Sequence, residues 1–281
     1  MLAYQHAYHA GNIADVHKHL VLFALGQRLI AKRSAITWVD THAGRGLYPL
    51  TGAETQRGGE YRDGILPLWE RRQDFPQQSL IHSWLSWLEG LNTSGELDCY
   101  AGSPWWLGQL MRPNDRLELY ELHPGEHQYL DGQVNEVLPA GTRRHFADGP
   151  ATLIKHLPVA TPRLCVLIDP SYEIKSDYQQ MAAHLVQIAG KVRHAVVAIW
   201  YPLLPQDRHL LLLEALRHSG LRKILRSELR YADPATERGM YGSGMLVFNP
   251  PWQLDQQLKE VGDSLADVYS GHHQIEWLVA E

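Results

Sequence analysis

The sequence predicts an α/β fold built on a seven-stranded, mostly parallel sheet with helices on both faces. Three observations predict it. Apolar runs of strand length, such as Ile36-Thr-Trp-Val-Asp40 and Leu164-Cys-Val-Leu-Ile168, alternate with segments of helical patterning. The first run leads directly into a glycine turn, Thr41-His42-Ala43-Gly44-Arg45-Gly46. Four strands are followed closely by an acid, Asp40, Glu121, Asp148 and Asp169. Ligands of doubly wound sheets bind at strand carboxyl ends, so four acids in that position are hard to assign to chance.

Taken in order, Asn12 or Asp15 can cap a helix whose apolar residues Val16, Leu20, Phe23, Ala24 and Leu29 recur near helical spacing. Strands are expected near 36–40, 116–121, 143–147, 163–169, 193–200, 222–230 and 243–249, with helices over Asp177 to Ile188 and Pro205 to Ser219. Right-handed crossovers make such a sheet mostly parallel. The last two strands are close in sequence, with Gly239 and Gly242 between them, which suits an antiparallel hairpin at an edge. The alternation stops from about Tyr48 to Asp98, where the pattern reads as helical. Glu121 consequently lies 81 residues beyond Asp40, whereas a simple βαβ unit places the acid about 20 residues on. Residues 48–98 are therefore expected to form an inserted helical subdomain. The main domain would then comprise 1–47 and 99–281, with an N-terminal arm and helix over 1–33. Trp84 and Trp87, spaced i and i+3, are expected in the core of the insertion.

Composition narrows the function. A chain of 281 residues with 44% hydrophobic and 20% charged residues can bury a substantial core. It has no run of ~20 apolar residues and no basic, apolar leader, so a cytoplasmic protein without a membrane partner is expected. Cys99 and Cys165 form no Cys-x-x-Cys pair, and His17 and His19 do not share a helix face, so no metal site is expected. A net charge of −5 argues against a broad basic surface. Any nucleic-acid contact should be local, with Lys18, Arg28, Lys32, Arg33, Arg57 and Arg62 as candidates, although scattered basic residues usually form solvated faces.

The most informative string is Asp169-Pro170-Ser171-Tyr172, at the end of a buried strand. The lone pair of an exocyclic amine on adenine is delocalised into the ring, so a site that methylates it must draw on both N–H bonds. Asp169 can accept one. Pro170 has no N–H and restricts its predecessor to extended geometry, leaving a nearby main-chain carbonyl to accept the other. Tyr172 can stack on the base, a contact worth roughly 1–3 kcal/mol. Alone, Asp-Pro also ends many strands in an ordinary turn. The glycine turn is a poor dinucleotide fingerprint, because the third glycine would fall at Pro49. It suits S-adenosyl-L-methionine, which has no pyrophosphate to cradle. Glu121 is placed to accept ribose hydroxyls, and Asp148 to read the adenine amino group of the cofactor.

These residues carry a family resemblance over essentially the whole chain. The opening Met1-Leu-Ala-Tyr4-Gln-His6-Ala-Tyr8-His9-Ala-Gly11-Asn12-Ile-Ala-Asp15-Val-His17-Lys18-His19 resembles that of the bacterial ribosomal RNA large subunit methyltransferase J family. So do Asp40-Thr-His-Ala-Gly44, Ala101-Gly-Ser-Pro104, Glu121-Leu-His-Pro124, Asp148-Gly149 and Gly242-Ser-Gly-Met245 with Asn249-Pro-Pro-Trp252. One departure is Ser171, where the family pattern is Asp-Pro-Pro-Tyr. The resemblance implies a Rossmann-like S-adenosylmethionine-dependent methyltransferase acting on an adenine N6 in 23S rRNA, with no obligate protein partner. It also implies that Asp169, with Pro170 and Tyr172, is the catalytic group. His19, His42, Ser103, Glu121, Asp148, Gly149 and Asp169 would line the cofactor site. Tyr4, His6 and Lys18 would meet the substrate, Lys18 lying near either the cofactor or a phosphate. Other readings are a DNA adenine-N6 methyltransferase, an NAD-linked oxidoreductase and a non-enzymatic ribosome-assembly factor.

Overall fold

The computed structural model describes residues 5–133, 137–235 and 239–281. Among these residues ten strands occur in chain order: β1 (Ile36–Asp40), β2 (Leu47–Pro49), β3 (Cys99–Ala101), β4 (Arg116–Glu121), β5 (Thr142–Phe146), β6 (Arg163–Ile168), β7 (Val196–Leu203), β8 (Ile224–Arg230), β9 (Gly242–Phe248) and β10 (His272–Val279). The helices are α1 (Ile13–Ile30), α2 (Ala53–Gly58), α3 (Ile65–Glu70), α4 (Leu80–Leu91), α5 (Ser103–Leu110), α6 (Pro124–Gln133), α7 (Gly149–His156), α8 (Asp177–Lys191), α9 (His209–Arg217) and α10 (Leu254–Val268).

Eight strands form the main sheet in the order β10-β8-β9-β7-β6-β1-β4-β5. The β7-β6-β1-β4-β5 half is parallel, and β9, β8 and β10 extend it antiparallel. Seven of these strands match the sequence reading. The eighth, β10, does not announce itself, because His272-His-Gln-Ile-Glu-Trp-Leu-Val279 is a half-exposed edge strand whose apolar residues are interrupted by polar ones. The expected antiparallel hairpin is present, β8 pairing with β9, but it does not lie at the edge. β9 inserts between β7 and β8, and β10 occupies the edge.

Alternation along the strands splits the core in two. In β6, Cys165 and Leu167 face one layer with α1, α4, α5 and α10, whereas Leu164, Val166 and Ile168 face the other with α7, α8 and α9. Both faces are buried, which explains the continuous apolar runs. Asn12 caps α1 by accepting the Asp15 amide at 2.8 Å, and this frees the Asp15 carboxylate to point inward.

Between β1 and β4, the β2–β3 ladder brackets α2, α3 and α4. Apolar residues of this stretch, including Ile65, Leu68 and Trp84, share one core with α1 and α5. Trp84 stacks on Trp106 at 5.1 Å and Trp87 packs edge-on against Phe23 at 4.9 Å.

Candidate active site

The carboxyl ends of β6, β1 and β4 meet because Asp40 is in register with both Leu167 and Leu119. Beyond Asp40 the chain is tied to its neighbours. The Thr41 amide donates to the Leu167 carbonyl at 3.1 Å and the Ala43 amide to the Tyr120 carbonyl at 2.8 Å. Gly44 then turns with φ +60°, a conformation that favours glycine. Its amide donates to Glu121 Oε2 at 2.8 Å, while the His123 amide donates to Oε1 at 2.6 Å. Burial raises the Glu121 pKa, and these two amides oppose the rise. Asp148 caps α7 through the Ala151 amide at 3.0 Å. Next to it, Gly149 lies so close to the β1 loop that a Cβ would sit 2.2 Å from the Thr41 carbonyl oxygen. Glu121, Asp148 and Gly149 thus surround one turn.

A second group of charges lies beneath this rim, where α1 crosses the sheet. Lys18 Nζ donates to Asp169 Oδ2 at 2.6 Å and pairs with Asp15 Oδ1 at 2.8 Å. Asp15 Oδ2 also accepts the Gly11 amide at 2.9 Å and lies 2.8 Å from His6 Nε2. Lys18 is only 4% exposed. Burial opposes its charge, but Asp15 and Asp169 outweigh that and raise its pKa. The Asp15 pKa falls well below the usual carboxylate value although burial works the other way, because His6 and Lys18 surround it. This network therefore keeps Lys18 charged and presents Asp169 as a carboxylate acceptor.

Between the two groups sit polar side chains whose bonding is incomplete. The His42 amide donates to Asp40 Oδ1 at 3.1 Å, and the Asp169 amide donates to His42 Nδ1 at 3.3 Å. His19 Nδ1 lies 2.7 Å from the Tyr100 hydroxyl. His19 Nε2 and Asp40 Oδ2 are buried without a hydrogen-bond partner. Burial pushes Asp40 up to about 7, with the Ser103 hydroxyl at the start of α5 and the His42 amide favouring the carboxylate in opposition. His42 is driven down to about 4 by burial, so its ring is neutral near pH 7. Buried polar atoms without partners carry a desolvation penalty that a polar ligand would relieve.

The sequence-derived residues are thus mostly gathered here. Pro170 is buried beside Asp169. Tyr172 lies deeper than a stacking role suggests, at 5% exposure, with its hydroxyl donating to the Trp200 carbonyl at 2.7 Å and its ring 4.4 Å from Tyr178. Lys18 is held in a buried ion pair and presents no exposed ammonium to a phosphate. His6 is tied to Asp15, whereas Tyr4 lies outside the described residues. Asp15 was read only as a possible cap. Its spacing of three from Lys18 on one helix face was the available signal.

Comparison with known proteins decides the family. The family model described as "Ribosomal RNA large subunit methyltransferase D, RlmJ" matches residues 33–279. The chain belongs to that family. It is 36% identical over 285 residues to the ribosomal RNA large subunit methyltransferase J of Escherichia coli K12, covering 100% of both chains. It is likewise 36% identical over 296 residues to the protein of that name from Haemophilus influenzae, again covering 100% of each. A crystal structure of a Legionella pneumophila protein superposes with a TM-score of 0.87 at 31% identity, covering 96% of this chain and 98% of that one. Membership in a methyltransferase family removes the oxidoreductase reading. Among the described residues, no helix is long and apolar enough to cross a membrane, and no group of three or more metal-ligating side chains occurs.

Proposed function

We propose that this chain transfers a methyl group from S-adenosyl-L-methionine to the N6 amino group of an adenine in 23S rRNA. The observation that carries this reading is the Asp169 carboxylate, fixed by Lys18 at a strand carboxyl end beside the partnerless atoms of Asp40 and His19. Those atoms fit the polar methionine end of the cofactor, whose ammonium suits Asp40. Ser103 and His42 would complete that end, Glu121 would take the ribose hydroxyls, and Asp148 with Gly149 would border the adenine. The bound cofactor supplies an electrophilic methyl group.

The remaining work falls to the chain's own residues. Asp169 accepts one N–H of the target amine and the Pro170 carbonyl accepts the second, concentrating electron density on nitrogen. The nitrogen would form its bond to the methyl carbon as that carbon's bond to the sulfonium sulfur breaks, leaving the neutral thioether S-adenosyl-L-homocysteine. The proton lost from nitrogen would pass to solvent. Lys18 holds Asp169 oriented for this contact. Alignment of reactants can account for roughly 7–11 kcal/mol of a barrier. Tyr172 supports the base pocket, and the arm bearing Tyr4 and His6 borders the RNA. Residues 1–47 and 99–281 are the methyl-transfer domain, and 48–98 an inserted helical subdomain beside it.

Incubation with labelled S-adenosyl-L-methionine and separated ribosomal RNAs, followed by nucleoside analysis, tests the proposal. N6-methyladenosine in 23S rRNA is the expected product. Label in 16S rRNA alone, or on another atom, overturns it.

A further inference from the structure

Trp200 lies within β7, at the level where the adjacent strand β6 ends and Asp169 follows. Ile199 is in register with Ile168, so the next residue on each strand lies at the same rim. The indole is held on the α1 side of the sheet. Its Nε1 donates to Ser243 Oγ at 3.0 Å, and the Lys18 ammonium that grips Asp169 lies 5.8 Å from the ring centroid. Behind Ser243 runs a buried polar chain: His17 Nδ1 is 3.0 Å from Ser243 Oγ, His17 Nε2 is 3.0 Å from Ser227 Oγ, and Ser227 Oγ is 2.9 Å from His273 Nε2. From the opposite face, the Tyr172 hydroxyl donates to the Trp200 carbonyl at 2.7 Å.

Both the main chain and the indole nitrogen of Trp200 are therefore fixed, yet the side chain remains partly exposed. Tyr172 differs, since it is buried with its ring against Tyr178. A satisfied polar chain rigidifies what it holds, and here every link from the indole to His273 Nε2 is made, with only His273 Nδ1 at the far end left without a hydrogen-bond partner. Here the held group is an aromatic plane next to the acceptor for the target amine. We propose that Trp200 is the aromatic surface that seats the target nucleobase, and that Ser243, His17, Ser227 and His273 are positioning residues for its indole.

This inference rests on the rRNA methylation reading and adds the residue that holds the base. The test compares wild type with Trp200→Phe, Trp200→Leu and Ser243→Ala, using S-adenosyl-L-methionine calorimetry and kcat and KM for 23S rRNA. Trp200→Leu should lower kcat/KM for RNA about ten- to a hundredfold, as expected for loss of one base–aromatic stack. Trp200→Phe should recover most of that loss, and cofactor affinity should be unchanged in both. Ser243→Ala, which keeps the indole but frees it, should raise the KM for RNA alone. Near-wild-type methylation by Trp200→Leu overturns the proposal, as does a Phe variant no better than Leu. If Trp200→Leu fails to bind cofactor, an unchanged KM in Ser243→Ala overturns it instead. Wild-type protein that binds cofactor but methylates no rRNA sinks the functional reading, and this inference with it; an indifferent Trp200→Leu sinks only the second.

Discussion

Two strand ends in this molecule carry the same kind of string. Asp169-Pro170-Ser171-Tyr172 follows β6, and Asn249-Pro250-Pro251-Trp252 follows β9. As text, the second is the better match to a motif that holds a planar amine. The sheet assigns them opposite fates. β6 runs parallel to β1 and β7, so Asp169 emerges at the same end as the turns that follow β1 and β4. β9 runs antiparallel to β7, so Asn249 emerges at the other end, where its side-chain amide donates to the Arg193 and Ala195 carbonyls at 2.8 and 3.0 Å. Trp252 there is 79% exposed. An acid or amide, a proline and an aromatic thus become a site only when strand direction brings them to the end where others converge.

The comparison would break most visibly at Asp169. Asp169→Ala should cut methyl transfer by roughly a hundred- to a thousandfold, the scale of losing one preorganised transition-state contact, while cofactor affinity stays within a few fold. Retained turnover in a labelled-methyl assay would strip the β6 string of its role. Next in size is Glu121→Ala, which removes the carboxylate that two loop amides share. Calorimetry should show cofactor affinity falling about tenfold or more, since hydrogen bonds to charged groups contribute roughly 1.5–3 kcal/mol. Equal affinity in the variant would separate Glu121 from the cofactor.

A pH experiment sharpens the same contrast at Asp40. Its pKa is raised from 3.8 to about 7 by burial, so the folded chain holds a proton there that the unfolded chain has already released. Its contribution therefore makes stability fall as pH rises through that window, by at most about 1.4 kcal/mol per pH unit, and level off above it. Denaturant titrations at several pH values should show that slope in the wild type and a flatter one in Asp40→Asn. Identical slopes would mean that Asp40 is ionised throughout. Binding of the cationic cofactor should in turn strengthen as pH rises toward and past 7.

The smallest effect belongs to the decoy string. Asn249→Ala should leave kcat and KM unchanged and lower stability by about 1 kcal/mol, through loss of two hydrogen bonds, one exposed and one partly buried. A drop in methylation without a drop in melting temperature would show that the β9 end has a functional share after all.

The parallel half of the sheet was legible because buried strands are continuous apolar runs, and the rim acids were legible because they directly follow those runs. β10 was not, since an edge strand has one half-wet face and no apolar run to mark it. Sequence adjacency made the β8–β9 hairpin legible but not its interior place, because the further pairing of β9 with β7 is decided by packing. The Lys18–Asp169 pair was equally hidden. Its partners are 151 residues apart, and a buried ion pair at such separation leaves no local spacing. The burial of Tyr172 was not legible, because it depends on Tyr178 and Trp200, which no motif includes.

The dependence of α1 on later strands has a consequence for synthesis. His17 bonds to a serine 226 residues further on, and Lys18 needs the carboxylate that follows β6. As the chain leaves the ribosome, this helix carries a cation and imidazoles whose interior partners do not yet exist. Until β9 has been translated, α1 has no complete seat, so this polar centre assembles only after most of the sheet.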